Sequence, residues 1–200
     1  FVIDCLQKGA RIYKHLPEKL KRDKQVVLNA VEHAGAQFSD IPVELQSDQE
    51  IVIASIRKRG STLQHLPDNL REDRKIVREA VMQDLFSLSS APQRFTDDRD
   101  FIMDVIQSLK KQNYMVLFFA SDRLKNCKEV VKAAVQKSGY ALRYAPVTLK
   151  SDEELVLEAV AGDLEVNDFV SVIPESLQQN THFLERAIQR NPKVIMADFI

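Results

Sequence analysis

The chain has no tryptophan, two cysteines and five glycines in 200 residues, and it lacks any long apolar run. Each shortage excludes something. Cys5 and Cys127 are too few for a disulfide framework, so free thiols in a reducing compartment are expected. Five glycines leave little room for a phosphate-cradling loop, and neither G-x-x-x-x-G-K nor G-x-G-x-x-G occurs. The longest apolar stretch, residues 115–120, is far too short to cross a bilayer. No basic segment with an apolar core precedes a cleavage site, so no signal peptide is visible. The first residue, Phe1, stands in mid-pattern without Met, which points to a trimmed N-terminus. A formal net charge of −1 argues against a surface that neutralises many phosphates. With 44% hydrophobic and 28% charged residues, the chain belongs among globular proteins.

What the chain does have is a period. An apolar residue followed by proline recurs as Leu16-Pro17, Ile41-Pro42, Leu66-Pro67, Ala91-Pro92, Ala145-Pro146 and Ile173-Pro174, with Ala120-Ser121 filling the remaining place. The steps are 25, 25, 25, 29, 25 and 28 residues. Three residues later comes an apolar anchor: Leu20, Leu45, Leu70, Phe95, Leu124, Leu149 and Leu177. An acidic column follows at Asp23, Asp48, Asp73, Asp98 and Asp152, with Cys127 and Asn180 in the two irregular units. Next comes an apolar set spaced i, i+1, i+4, i+5, as in Ile76, Val77, Ala80 and Val81.

Each column has a physical task. At 100° per residue the apolar set covers one side of a helix of about three turns. The preceding Asp suits the orphan amides and positive dipole of the first turn. Ser47 with Glu50, and Ser151 with Glu154, fit the capping-box spacing. Gly35, Gly60 and Gly139 fall where a left-handed residue would end the helix. A second, short helix carries apolar pairs three apart, such as Phe38 and Ile41 or Leu63 and Leu66. The following Pro stops it and starts a new turn, being suited to the first helical position. No unit can bury its own stripe, so stacking must. The expected fold is therefore all-α: an α-solenoid of about eight helix–turn–short-helix repeats in one domain over residues 1–200. The units begin near residues 1, 23, 48, 73, 98, 127, 152 and 180. Tetratricopeptide and ankyrin units, at about 34 and 33 residues, do not match that period. Phe199 and Ile200 end the chain on apolar residues, which suggests a fragment of something longer.

These columns resemble a family known as domain of unknown function 4116. "ALRYAPVTLKSDEELVLEAV", residues 141–160, follows its unit almost verbatim, and residues 23–52 show the same succession. The resemblance covers nearly the whole chain and weakens at the 29-residue unit and from Ala161 onward. It implies a repeat scaffold that binds a host protein, such repeats being found in effector-like proteins of bacteria living within eukaryotic cells, and in protists and large viruses. It also implies a cytoplasmic site of action, in the host cytosol if the protein is delivered there. The family carries no established catalytic residues to transfer.

Candidate chemistry is sparse. His15 and His65 share a repeat column and read as scaffold positions. His33 and His182 lie elsewhere, and no H-x-x-x-H or C-x-x-C spacing suggests zinc. The run Asp97, Asp98, Arg99, Asp100 falls on the helix-start column, where capping explains it. Cys127 has only His182, two units away, as a candidate base. Arg57, Lys58 and Arg59 form the best basic cluster, but charge balance argues against nucleic acid. Residues 1–25 are mostly basic, and residues 151–170 carry acids with no Lys or Arg, which could steer a partner. No metal, cofactor, catalytic residue or membrane partner is expected; a protein partner is.

The best binding candidate is Phe118, with Tyr114 and Phe119 beside it. The second position before the apolar-Pro seam is polar in nearly every unit: Lys14, Ser39, Gln64, Ser89, Arg143 and Ser171. In the 29-residue unit it is Phe118, after an insertion around residues 110–113. Either Phe118 anchors a partner, or the insertion rotates the short helix and buries it. The competing functional reading is an enzyme, or a small-molecule or lipid module with a groove pocket around Leu117 and Phe119.

Overall fold

An oxygen from one side chain opens almost every long helix. The computed structural model describes residues 1–109, 115–162 and 171–192, and these contain helices and no strand. The long helices are α1 (Val2–Gln7), α2 (Lys24–His33), α3 (Gln49–Lys58), α4 (Arg74–Gln83), α5 (Arg99–Ser108), α6 (Lys128–Lys137), α7 (Glu153–Ala161) and α8 (Thr181–Arg190). Asp23 accepts from the Gln25 and Val26 amides at 2.8 and 3.2 Å. Asp48 and Asp73 make the same pair of bonds. Asp98, Asp152 and Asn180 each accept from the amide three residues on. Cys127, in the same column, does not cap; its thiol donates to Glu129 at 2.9 Å. The expected capping boxes do not form, because Asp48 and Asp152 hold the cap position and Ser151 donates to the Val147 carbonyl.

Behind α1, α2, α3, α4 and α6 lies a short helix with three residues per turn, which sets residues i and i+3 on one side. That is why the apolar pairs are three apart. Phe38 and Ile41, and Leu63 and Leu66, are all buried. These 3-10 helices span Tyr13–His15, Phe38–Asp40, Gly60–His65, Leu85–Ser90 and Gly139–Tyr144. The proline that follows sits one place earlier than expected. Pro17, Pro42, Pro67, Pro146 and Pro174 are N-cap residues with extended ψ, and each is followed by one turn of helix. The Pro17 carbonyl, for instance, accepts from the Leu20 and Lys21 amides at 2.9 and 3.1 Å. Repeats described in full thus hold three helical pieces rather than two. The apolar anchor seals the third onto the next long helix, as where Phe95 meets Phe101 with ring centroids 5.1 Å apart. Ser121 replaces proline in its unit and so has an amide to give, which it donates to the Thr96 carbonyl at 2.9 Å.

The chain forms two compact units, Phe1–Pro92 and Gln93–Ile200. In the first, α1 packs on α2, α2 on α3 and α3 on α4. In the second, α5 packs on α6, α6 on α7 and α7 on α8. The i, i+1, i+4, i+5 stripe is what these contacts bury: all four members are buried in α2 through α7. Each large one contributes about 2 kcal/mol by leaving water. In α1 and α8 the stripe is only partly covered; Phe1 is 96% exposed, and Leu184 and Ile188 are half-buried. A helix with one neighbour can cover only one flank.

Of the three glycines expected to be left-handed, only Gly35 is, at φ +70°. Gly60 and Gly139 instead open a 3-10 helix after an extended residue. At Gly60 the requirement is space, since a Cβ would lie 2.5 Å from the Ala80 carbonyl oxygen and 2.8 Å from Asp84 Cβ. Gly60→Ala is therefore expected to cost about 2 kcal/mol by overpacking and Gly35→Ala about 1 kcal/mol by strain. Urea denaturation of both variants measures the order.

Lys24 reaches Asp48 at 2.8 Å and holds its carboxyl below the usual carboxylate range, and the Glu50 and Ile51 amides add to this. A carboxyl lowered on folding contributes stability that is complete above its unfolded value and is lost as pH falls through the folded one. Asp48→Ala should then cost about 1 kcal/mol at neutral pH. Urea midpoints at descending pH should show that gap closing below pH 3.8.

Candidate functional site

The single helical turn Val116–Phe119 replaces the usual 3-10 helix in its repeat. Val116 and Leu117 point into the core, at 2% and 0% exposure. Four residues of α-helix cannot hide a fifth face, and Phe118 lies on the outer one, 51% exposed. It is therefore not buried by the insertion. Its ring stands edge-on to Phe119, with centroids 5.0 Å apart, and to Tyr144 of the next repeat at 5.6 Å. Tyr144 occupies the column that Phe119 fills one repeat earlier, which is why the two meet the same ring. Tyr114 and residues 110–113 lie outside the described residues, so the third predicted site residue has no place in this geometry. Leu117, named for a groove pocket, belongs to the core.

Two cations lie on the Tyr144 side of this cluster. Arg143, adjoining Tyr144, is exposed, and Lys150 is half-buried. Burial, with Arg143 nearby, lowers the pKa of the Lys150 ammonium. Val147 adds an apolar surface that is 69% exposed. The arrangement offers an exposed aromatic edge to a partner.

The first unit holds concavities that no motif announced. One, of about 800 Å³, runs beside α3 and is lined by Lys24, Asp48, Glu50, Ile53, Arg57 and Lys58 among others. Most of its charges are satisfied: Lys24 on Asp48 and Glu50, and Arg57 on Glu79 at 2.7 Å. A second, of about 280 Å³, lies where the end of α3 meets the turn after α2, and a third of about 300 Å³ adjoins it. Sequence reading missed these because they arise from turn geometry; the basic run Arg57, Lys58 and Arg59 was a signal.

The remaining expectations resolve simply. Asp98 caps α5, while Asp97 accepts from the Ser121 hydroxyl and from Arg123, which hold its carboxyl below the usual range. Tyr13 donates to the Lys21 carbonyl at 3.1 Å; burial, then Asp40 and Glu18, push its phenol up to about 12. Both cysteines are free thiols. Many charges of the basic and acidic segments pair across neighbouring repeats, including Lys14 with Asp40, Lys132 with Glu158, and Lys128 with Asp152. Asp163, Glu165 and Asp168 lie outside the described residues. Among the described residues no three His, Cys, Asp or Glu side chains converge on a metal position, and no helix is long and apolar enough to cross a membrane.

No curated protein and no solved structure matches the chain. One family model does, described as a domain of unknown function (DUF4116), over residues 1–46, 48–96, 98–150 and 127–172. Each match spans about two of the 25-residue repeats. The last two overlap over residues 127–150, one repeat, which is the slip expected when a two-repeat model slides along a one-repeat period. With these matches covering most of its length, the chain belongs to the DUF4116 family.

Proposed function

We propose that the chain is a non-enzymatic α-solenoid scaffold, one repeat domain over residues 1–200, that binds another protein along an extended face. The observation that carries this reading is Phe118, a large aromatic 51% exposed in a column otherwise polar, braced by Phe119 and Tyr144. Exposed aromatics held rigid by neighbours are the usual anchors of protein interfaces. The serial packing of α1 to α4 and of α5 to α8 supports the solenoid. Repeats stacked in sequence supply long faces suited to a protein partner. On this reading the scaffold acts in the cytoplasm and, as part of an effector of an intracellular bacterium, in the host cytosol. A second reading, a module for small molecules, is favoured by the concavities of the first unit and their unpaired cations.

Phe118→Ser tests the first reading, with Leu117→Ala as its structural counterpart. Phe118→Ser should change stability by no more than about 0.5 kcal/mol, while Leu117→Ala should cost about 3 kcal/mol. Capture from a host-cell lysate, quantified by mass spectrometry, should lose at least about tenfold of a specific protein with Phe118→Ser. Identical capture by the unmodified chain and Phe118→Ser contradicts the assignment of the anchor.

A further inference from the structure

Arg11, Lys58 and Arg59 are exposed, and among the described residues none gives their side chains a hydrogen bond or an ion pair. All three face one region of the first unit. Lys58 and Arg59 line the cavity of about 280 Å³, together with His33 and His65. The adjoining depression of about 300 Å³ shares Gly35, Ala36, Gln37 and Arg59 with it and adds Arg11. Two acids lie at the same place, fewer than the cations there. Glu32 stands 3.6 Å from His33, and Asp40 holds Lys14 at 3.1 Å and accepts from the Gln37 amide at 3.1 Å. An excess of positive charge is left facing a hollow.

A second observation is independent of charge. Ser55 lines the same cavity, is 4% exposed, and among the described residues its hydroxyl has no partner. Its column in the neighbouring helices is Ala30 and Ala80, both fully buried. A buried hydroxyl in place of a methyl costs stability unless something bonds to it. The floor beside it is bare: at Gly35, φ +70°, a Cβ would find no atom within 4 Å.

We propose that this cavity binds a phosphate monoester, with Arg59 and Lys58 on the phosphate oxygens and the Ser55 hydroxyl donating from the wall. A guanidinium fork matches two phosphate oxygens, and a lysine supplies a compact charge to a third. A single carboxylate would leave most of the local positive charge unmatched, whereas a dianion uses it. The cavity has room for the phosphate and a small group esterified to it. This site does not depend on the aromatic surface of the second unit.

The test is an amide-resolved NMR titration of the whole chain with a pentose phosphate, with the unphosphorylated pentose, and with a phosphoserine peptide. Saturable shifts of the Gly35, Ser61 and Thr62 amides are expected with the phosphorylated probes and not with the sugar. Tighter binding of the sugar phosphate identifies a free small molecule as the source of the phosphate, and tighter binding of the peptide a phosphorylated protein. Arg59→Gln, at an exposed position, should weaken binding about tenfold without altering the thermal midpoint. Ser55→Ala should weaken it about threefold while raising that midpoint, since it removes an unpartnered buried hydroxyl. Absence of saturable shifts with either phosphorylated probe, or equal affinity in Arg59→Gln and the unmodified chain, overturns the site.

Discussion

Burial of one helix's apolar stripe against the helix of the next repeat is the contact on which everything else rests. A ten-residue helix such as α3 is too short to persist alone in water, and it has no second layer of its own to cover Ile51, Val52 and Ile56. Those side chains are fully buried because α2 and α4 flank them. The small column at Ala30 and Ala80 lets the neighbouring backbones approach, and at Gly60 the approach is so close that no Cβ fits. Stability in such an arrangement adds up locally, from each repeat and its next neighbour.

Electrostatics follows the same order. The cap aspartates hold their own helices and also receive a cation from the repeat before, as Lys24 does for Asp48 and Lys128 for Asp152. In the last described interface the roles change hands: Asn180 caps α8 and reaches Glu153 at 3.4 Å, while Arg186 meets Glu153 and Glu154. These exposed pairs are individually weak. Their regular placement sets register between repeats, and it also shows which charges are spent. Among the described residues Arg11, Lys58 and Arg59 are cations that the ladder leaves over, and they are set apart by lining the two adjoining hollows of the first unit.

How much of this was legible without coordinates follows from what is periodic. The long helices, their caps and the apolar pairs repeat, so Asp23, Asp48, Asp73, Asp98, Asp152 and Asn180 could be placed by column alone. The third helical piece was hidden because one turn after a proline has no periodicity of its own; Pro17 and its equivalents read as breaks rather than as caps. Gly60 and Gly35 share a column yet serve different ends, space in one and left-handed backbone in the other. The exposure of Phe118 depended on which way a four-residue turn faces, and spacing alone left that open. Cavities are defined by what fails to fill them, so no pattern of residues announced the one beside Ser55.

Hydrogen exchange read residue by residue, on the unmodified chain and on Val52→Ala, tests the stacking directly. Protection should peak once per repeat, in the long helices. Val52→Ala, made at a fully buried position in α3, should loosen α2, α3 and α4 while α6, α7 and α8 exchange as before. Equal loss of protection across all the long helices would mean a single shared core, and the neighbour-by-neighbour account would be wrong.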